Sequence, residues 1–251
     1  MTSWSKRRKL VYAAISLAVV AGGIVGVFLI FFYRAPTCFD GRLNGGEAGI
    51  DCGGKCVRLC QSAYLAPSIS WTKFVKIAPD LYNIATYIIN PNPEGEALNV
   101  PYRMALYDDK GIIITDRTGV MNIPPHRNVL AFQGAIPTGS RRPAKAIFEF
   151  TALPDWHKKS DPLSSLEVVD KFYTEEIGNS SLIVTLANNG AGPLGSMTVY
   201  AVLSDRSGNV LDFSKTIVDG LSAKSKATAP FTWSQSHDGR VISIEVLPVA
   251  E

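Results

Sequence analysis

The stretch ALYDDKGIII (105–114) has a second version 97 positions later, VLSDRSGNVL (202–211). Both versions run from an apolar strand end through an Asp and a Gly into a second apolar run. In a hairpin turn of this kind the Asp side chain bonds to backbone amides, and the Gly supplies the positive φ that closes the turn. The aligned pairs are Leu106 with Leu203, Asp108 with Asp205, and Gly111 with Gly208. The stretch therefore predicts a structural turn that is used twice, with Leu106 facing a core.

Short runs of alternating apolar residues, separated by turn residues, surround both copies. Val, Ile, Tyr, Phe and Thr dominate these runs, which is typical of β-strands. One series extends from Ile69–Ile77 to Lys145–Phe150, and the other extends from Leu166–Tyr173 to Val241–Leu247. A period near 97 is too long for a solenoid and fits a tandem of sandwich domains. The predicted fold class is all-β, with two tandem immunoglobulin-like β-sandwiches behind an N-terminal helix and a cysteine-rich segment.

The predicted bounds are residues 66–153 for the first sandwich and 166–251 for the second. A polar linker over residues 154–165, PDWHKKSDPLSS, joins them and has a proline near each end. Trp156 lies in this linker, and an aromatic ring brings a large apolar area to any interface it joins. We expect Trp156 to be partly buried against one domain, fixing a bent but adjustable pair.

The run Leu106-Tyr107-Asp108 resembles the FxLYD-type domain, a bacterial extracytoplasmic β-sandwich related to immunoglobulin-like modules. That family is named for a strand end of the form aromatic-x-Leu-Tyr-Asp. Here Met104 stands at the aromatic position, and the second copy has Ser204 in place of the Tyr. The resemblance implies sandwich domains on the outer side of a membrane.

All of the chain's cysteines lie in one short segment, residues 35–62: Cys38, Cys52, Cys56 and Cys60. In an oxidising compartment an even number of cysteines indicates disulfides, here two. Three pairings are possible, and the sequence does not choose among them. A zinc or iron–sulfur site is the alternative, which the four-residue spacing disfavours because it does not match the usual Cys-x-x-Cys knuckles.

Oxygen-bearing side chains are spaced between these cysteines: Asp40, Asn44, Glu47 and Asp51. The segment resembles the short C-x-D-G-x-x-N-x-x-E-x-x-x-D-C-G-G-x-C-x-x-C element of many secreted and surface proteins, with the last gap one residue longer. The resemblance implies a small disulfide module. The four side chains offer the hard oxygen ligands that calcium takes. The interpretation that we favour is that they cap turns, so that the segment acts as a stiff collar between membrane and body.

An uncharged run of 24 residues, Leu10–Tyr33, precedes the collar. As a helix it would be about 36 Å long, enough to cross a hydrocarbon core of about 30 Å. The basic cluster Lys6–Lys9 precedes it, which predicts a cytoplasmic tail over residues 1–9, a transmembrane helix over 10–33 and an extracytoplasmic body. A cleaved signal peptide is the rival interpretation, but this run is too long for one and ends in FFYRAP, a poor cleavage site.

Small residues recur every four positions within the apolar run, at Ala14, Ala18, Gly22 and Gly26. Such a stripe lets two membrane helices approach closely. It predicts a helix-packing face and allows a homodimer through the transmembrane helix.

The net charge of +3 is unevenly distributed. Residues 1–34 contain five basic residues and no acidic one, which leaves 20 basic and 22 acidic residues in the rest. A near-neutral body of this kind excludes nucleic-acid binding, which needs a concentrated basic face. The three histidines, His126, His157 and His237, have no metal-site spacing, and we expect His157 and His237 in solvated loops. The sequence therefore predicts no catalytic residue and no cofactor apart from the calcium alternative.

These features predict a non-enzymatic, membrane-anchored extracytoplasmic interaction or scaffold protein of the cell envelope. Its partners would be the membrane and other envelope proteins, which dock on exposed strand edges. The alternative is a ligand-binding surface module, for calcium or carbohydrate, that uses the collar or the interdomain loops.

Overall fold

The computed structural model describes residues 3–251 of the chain. It contains one α-helix, α1 (Ser3–Phe31), a short 3₁₀ turn (Gln61–Ala63) and thirteen strands within those residues. The strands are β1 (Ser68–Ala78), β2 (Leu81–Ile89), β3 (Gly95–Tyr107), β4 (Ile113–Ile123), β5 (Val129–Pro137), β6 (Lys145–Phe150), β7 (Trp156–Lys158), β8 (Leu166–Glu176), β9 (Asn179–Asn188), β10 (Met197–Ser204), β11 (Val210–Val218), β12 (Lys226–Trp233) and β13 (Ser243–Ala250). The prediction of an all-β body behind one apolar helix is confirmed. The chain forms two units, one ending at Cys56 and the other Val57–Glu251.

Helix α1 spans 29 residues and begins seven residues before the predicted bound at Leu10. The basic cluster Lys6–Lys9 is therefore part of the same helix, and the first two residues of the predicted tail lie outside the described part of the chain. The stretch Trp4–Phe31 has a mean hydropathy of 2.6 in its most apolar window. No residue of that window is buried against the rest of the described chain. A helix of this length and composition suits a membrane anchor or a secretory signal, so the apolar run marks the chain for the membrane or the secretory route.

The second unit contains four antiparallel sheets whose strand orders repeat. The first two are β1-β2-β5 and β4-β3-β6, and the other two are β8-β9-β12 and β11-β10-β13. The second set therefore repeats the strand pairing of the first set, with each strand number raised by seven. For example, β9 pairs with β8 and β12 as β2 pairs with β1 and β5. The exception is β7, which pairs with β3 and has no counterpart in the second set.

Each pair of sheets encloses its own apolar core. In the first sandwich Ile84 and Ile88 of β2 pack against Met104 and Leu106 of β3. In the second sandwich the core is built mainly from β9, β10 and β12 by Leu182, Val184, Leu186, Val199, Leu203, Phe231 and Trp233. These residues alternate along their strands with more exposed ones, as a sheet with one face in a core requires.

A third apolar cluster joins the two sandwiches. The face of sheet β1-β2-β5 that points away from its own core packs on the matching face of β11-β10-β13. Phe213 of β11 is 0% exposed, and its ring centroid lies 6.1 Å from those of Trp71 and Phe132. The four sheets are therefore stacked as layers, and the interface between the sandwiches is a third buried core.

The expectation that Trp156 is only partly buried against one domain is wrong, because the ring is fully enclosed in the first sandwich. Trp156 is 1% exposed and begins strand β7, where it pairs with Ala97 of β3. Its ring packs with Val100, Ile123 and the Tyr64 ring, whose centroid is 5.7 Å away. The physical reason is that the N-terminal half of β3 extends beyond the partners that β6 supplies, and β7 covers it.

Candidate functional site

The carboxylates predicted as calcium ligands bind backbone amides of the collar. Asp51 accepts hydrogen bonds from the amides of Asp40 (2.9 Å) and Gly41 (3.0 and 3.1 Å). Asp40 in turn accepts from the Asn44 side-chain amide at 2.9 Å and from the Arg42 amide at 2.9 Å. The hydrogen bond from Asn44 lowers the pKa of Asp40 most strongly. These oxygens have the arrangement that turn capping requires.

Glu47, the fourth of these side chains, lies beside a disulfide. One of its carboxylate oxygens accepts from the Asp51 amide at 3.2 Å, and the other lies 3.4 Å from the Cys56 sulfur. Cys56 is bridged to Cys38, with their Cα atoms 5.7 Å apart. The sulfur atoms near Glu47 are thus not thiolates, which a metal–thiolate site would need. Cys52 and Cys60 are also disulfide-bonded, so the predicted disulfide segment is confirmed.

The two predicted turns have the same hydrogen bonds. Asp108 accepts from the amides of Lys110 (3.0 Å) and Ile112 (2.8 Å). Asp205 accepts from those of Ser207 and Asn209, both at 2.8 Å. The glycines have φ values of +76° at Gly111 and +78° at Gly208, and Leu106 and Leu203 are both 0% exposed. All six residues therefore stabilise the two hairpins.

The small residues predicted as a helix-packing face all lie on α1, where Ala14, Ala18 and Gly22 are exposed and Gly26 is half-buried. A Cβ atom added at Gly22 or Gly26 would have no other atom within 4 Å. The stripe formed by Ala14, Ala18, Gly22 and Gly26 is therefore open along this helix.

A buried polar cluster around His237 is the feature that the sequence did not predict. The expectation of a solvated His237 is wrong, because this residue is 3% exposed. Its Nε2 lies 3.3 Å from a carboxylate oxygen of Asp212, and its Nδ1 lies 2.9 Å from the Tyr173 hydroxyl and 3.2 Å from that of Ser180. The partners come from β8, β9 and β11, which are far apart in sequence. The one signal for this cluster in the sequence was Asp212, a charged residue within a strand.

Glu175 and Asp212 hold the loop that carries His237. Burial by itself would raise the pKa of Glu175, but hydrogen bonds from the amides of Gly239 (2.8 Å) and His237 lower it below its usual value. Asp212 is 0% exposed and accepts from the Gln235 side-chain amide at 2.6 Å. The loop between β12 and β13 is therefore fixed on the second sandwich by two carboxylates.

Ser180, His237 and Asp212 are the residue types of a hydrolytic triad, but their arrangement does not suit catalysis. The Ser180 hydroxyl donates to the carbonyl of Gln235 at 3.0 Å. All three residues are at most 3% exposed, so a substrate has no approach to that oxygen. A nucleophile needs a free lone pair directed at a bound substrate. The cluster is suited to stabilising the loop.

The other two histidines lie apart from this cluster. His126 is exposed and lies in a turn between β4 and β5. His157 is not in a loop, because it belongs to β7 and pairs with Glu96 of β3. Its Nε2 lies 3.8 Å from Asp155, and its side chain is 41% exposed.

The stack of four sheets leaves two outer faces with different chemistry. On sheet β4-β3-β6, Arg103 donates to Asp116 (2.8 Å) on one side and to Glu149 (2.8 Å) on the other. On sheet β8-β9-β12, Phe172, Ile183 and Pro230 form an exposed apolar row across the three strands. Hydroxyl-bearing residues lie beside this row, among them the cross-strand partners Ser181 and Thr232.

Comparisons with known proteins identify no family. No family model matches the chain, and no curated protein matches it. Among solved structures it is similar to a β-glucuronidase from glycoside hydrolase family 2 (8% identity, 68% of this chain and 24% of that chain, TM-score 0.24). It is also similar to a Bacteroides uniformis β-glucuronidase (8%, 62% and 22%, TM-score 0.21) and to a putative β-galactosidase from Bacteroides fragilis (12%, 68% and 33%, TM-score 0.21). The chain spans a third or less of those proteins, and scores this low carry no functional argument.

Proposed function

We propose that this chain is a non-enzymatic, membrane-anchored scaffold or interaction protein of the cell envelope, with its body on the extracytoplasmic side. The observation that carries the proposal is the buried apolar interface between the two sandwiches. Two domains fused through a third core form one stiff body, which suits a protein that holds partners at fixed positions. Interfaces between domains of a chain that move freely are more polar than this one.

Helix α1 and the disulfides support the proposed location. The helix has the length and hydropathy of an anchor, and Lys6, Arg7, Arg8 and Lys9 lie at its N-terminal end. Positive residues stay on the cytoplasmic side, which puts the body outside. The disulfide-bonded cysteines fit the same side, because disulfides persist in oxidising compartments.

The FxLYD-type family is the finer identity that we propose for the sandwiches. It rests on Leu106-Tyr107-Asp108 and on the repetition of the Asp–Gly turn at Asp205 and Gly208. Membership would agree with an extracytoplasmic body and with residues that serve structure.

The outer face of sheet β8-β9-β12 is the place that we propose for partner contact, in preference to strand edges. Pro230 in β12 and Pro248 in β13 remove backbone donors from two edge strands, and β8 has a bulge between Val168 and Asp170. Prolines and bulges are devices that prevent a further strand from pairing. The row of Phe172, Ile183 and Pro230 has no charged side chain in its middle, so a protein surface can bury it without desolvating an ion.

The alternative function is a ligand-binding surface module. For calcium, the contacts within the collar weigh against a site, because its carboxylates already accept hydrogen bonds from backbone amides. For carbohydrate, the relevant feature is a cleft between the two sandwiches.

Photocrosslinking on intact membranes tests the scaffold proposal. A photoreactive amino acid is placed at Ile183 on the apolar row and, as a matched control, at Glu149 on the charged outer face. We expect protein crosslinks from position 183 and few from position 149, and mass spectrometry would name the neighbours. Recovery of the uncrosslinked chain alone from both positions would contradict the proposal.

Two further measurements test location and the absence of catalysis. A reporter that needs an oxidising compartment, fused after Glu251, is expected to be active, and neutralising Lys6–Lys9 is expected to scramble the orientation. A fluorophosphonate probe, which labels activated serines, is expected to leave Ser180 unlabelled. Labelling of Ser180 that is lost in His237→Ala would overturn the non-enzymatic assignment.

A further inference from the structure

A cleft of about 290 Å³ lies where the two sandwiches meet. Strands β4 and β5 of the first sandwich form one side, and β10, β11 and β13 of the second form the other. This volume is close to the lower end of the range for small-molecule pockets, about 300–1,000 Å³. The floor is apolar, formed by Val129, Ala131 and Val249, all at most 6% exposed.

Polar side chains around the cleft have hydrogen-bonding capacity that the protein does not use. Among residues 3–251, the Tyr200 hydroxyl has no hydrogen-bond partner, and burial raises the pKa of Tyr200 to about 12, so it remains a neutral donor. Asn122 accepts from the Asn99 amide through its oxygen at 3.0 Å, which leaves its NH₂ group free. Lys215 is exposed, forms no ion pair within the described residues, and lies 5.5 Å from the centre of the Phe132 ring.

A second hollow of about 310 Å³ continues from the cleft. The two share Asn122, Ala250 and Glu251 as lining residues. The far side of the second hollow carries an ion pair between Lys159 and Glu96, with N and O 3.5 Å apart. The two hollows together therefore form a groove that is longer than a ligand with a single small ring.

We propose that this groove binds carbohydrate, with one sugar unit over the apolar floor of the cleft and the next unit in the adjoining hollow. A sugar ring presents C–H groups on its faces and hydroxyl groups at its rim. The C–H faces can pack on Val129, Ala131 and Val249. The hydroxyl groups can accept hydrogen bonds from donors such as Tyr200, Asn122 and Lys215. This inference goes beyond scaffolding and does not depend on it, because the groove is distant in the fold from the outer face of β8-β9-β12.

Ligand titrations on the full chain in detergent micelles test the groove. The probes are glucose and cellobiose, N-acetylglucosamine and its β-1,4-linked dimer, and galacturonate and its dimer. We expect saturable binding of at least one pair by saturation-transfer NMR and calorimetry, with the dimer tighter than its monomer. Tyr200→Phe removes a hydroxyl donor and Lys215→Met removes the ammonium donor group, and each is expected to weaken binding about fivefold to tenfold.

Matched controls separate the groove from other surfaces. Tyr82→Phe and Lys226→Met change the same residue types away from the groove and are expected to leave binding unchanged. Thermal melts confirm that all four variants are folded. Absence of saturable binding by every probe, or binding that Tyr200→Phe and Lys215→Met leave unchanged, would overturn the inference, while the crosslinking result at Ile183 would be unaffected.

Discussion

Tyr87 of the first sandwich donates a hydrogen bond from its hydroxyl to Glu245 of the second, across 2.7 Å. The same hydroxyl accepts from the Asn128 side-chain amide at 2.9 Å. Tyr87 is 8% exposed, and its ring centroid lies 5.6 Å from that of Trp71 in the interface. This contact places a titratable group at the edge of the apolar junction, so the junction has a measurable response to pH.

We expect the protein to lose stability in alkali in part through Tyr87. Burial first, and then the hydrogen bond to Glu245, raise the pKa of Tyr87 from 10.0 to about 12, so the folded state favours the neutral phenol. The resulting stabilisation is present below pH 10.0 and is lost as the pH rises toward about 12. Denaturant unfolding across this range is expected to show a shallower alkaline decline for Tyr87→Phe than for the unchanged protein. Tyr82→Phe is the control, and equal declines for all three proteins would contradict the prediction.

Truncation of Phe213 is expected to loosen the junction. Phe213→Ala leaves a cavity between Trp71 and Phe132, and such changes cost about 3–5 kcal/mol. Phe172→Ala removes the same side chain from an exposed position and should change the free energy of unfolding by about 1 kcal/mol or less. Both are measured by denaturant unfolding. A cost for Phe213→Ala no larger than that for Phe172→Ala would show that the junction contributes little.

The His237 cluster is expected to be structural. His237→Ala removes the imidazole that contacts Asp212, Tyr173 and Ser180 inside the fold, which should cost about 2–4 kcal/mol of unfolding free energy. His126→Asn is the control, because His126 is exposed and Asn tolerates its φ of +58°. The midpoint of denaturant unfolding measures both. A neutral His237→Ala would mean that the loop does not depend on the cluster.

Disulfide mapping of protein from native membranes is expected to find two intrachain bridges, Cys38–Cys56 and Cys52–Cys60. The first is observed, and the other two cysteines are the remaining disulfide-bonded pair in a chain of four. Mass spectrometry of non-reduced peptides makes the measurement. Alkylatable thiols at any of the four positions, or a Cys38–Cys52 bridge, would contradict it.

The stacking of the two sandwiches could have been predicted only in part. Strand β2 has five consecutive buried residues, Ile84–Ile88, which are apolar except for Thr86, and a nearly continuous run of this kind marks a strand that is covered on both faces. That pattern indicates that something covers the second face, but it does not say what. The covering sheet is more than a hundred residues away, and the packing of side chains such as Phe213 on Trp71 has no local periodicity. The partners of His237 are 25 to 64 residues away in the sequence, so no local pattern predicts them either.

The hairpin turns, by contrast, were predictable because their causes are local. The Asp side chain, the amides it binds and the closing glycine lie within five residues of one another, so the pattern alone specifies the geometry at Asp108 and again at Asp205. The two turns even share a register irregularity, which falls between Leu106 and Tyr107 in one copy and between Leu203 and Ser204 in the other.

This equivalence gives a prediction that compares the two copies. Gly111→Ala and Gly208→Ala force an L-residue to φ values of +76° and +78°, and each should cost about 1–2 kcal/mol. An added Cβ meets no atom within 4 Å at either site, so the whole cost is backbone strain and should be nearly equal in the two copies. Gly192→Ala is the matched control, because that glycine has similar open space without a left-handed φ, and it should be neutral or stabilising. Denaturant unfolding of the three variants measures these costs. A loss of unfolding free energy in only one copy would show that the two turns, despite their shared hydrogen bonds, do not contribute equally to stability.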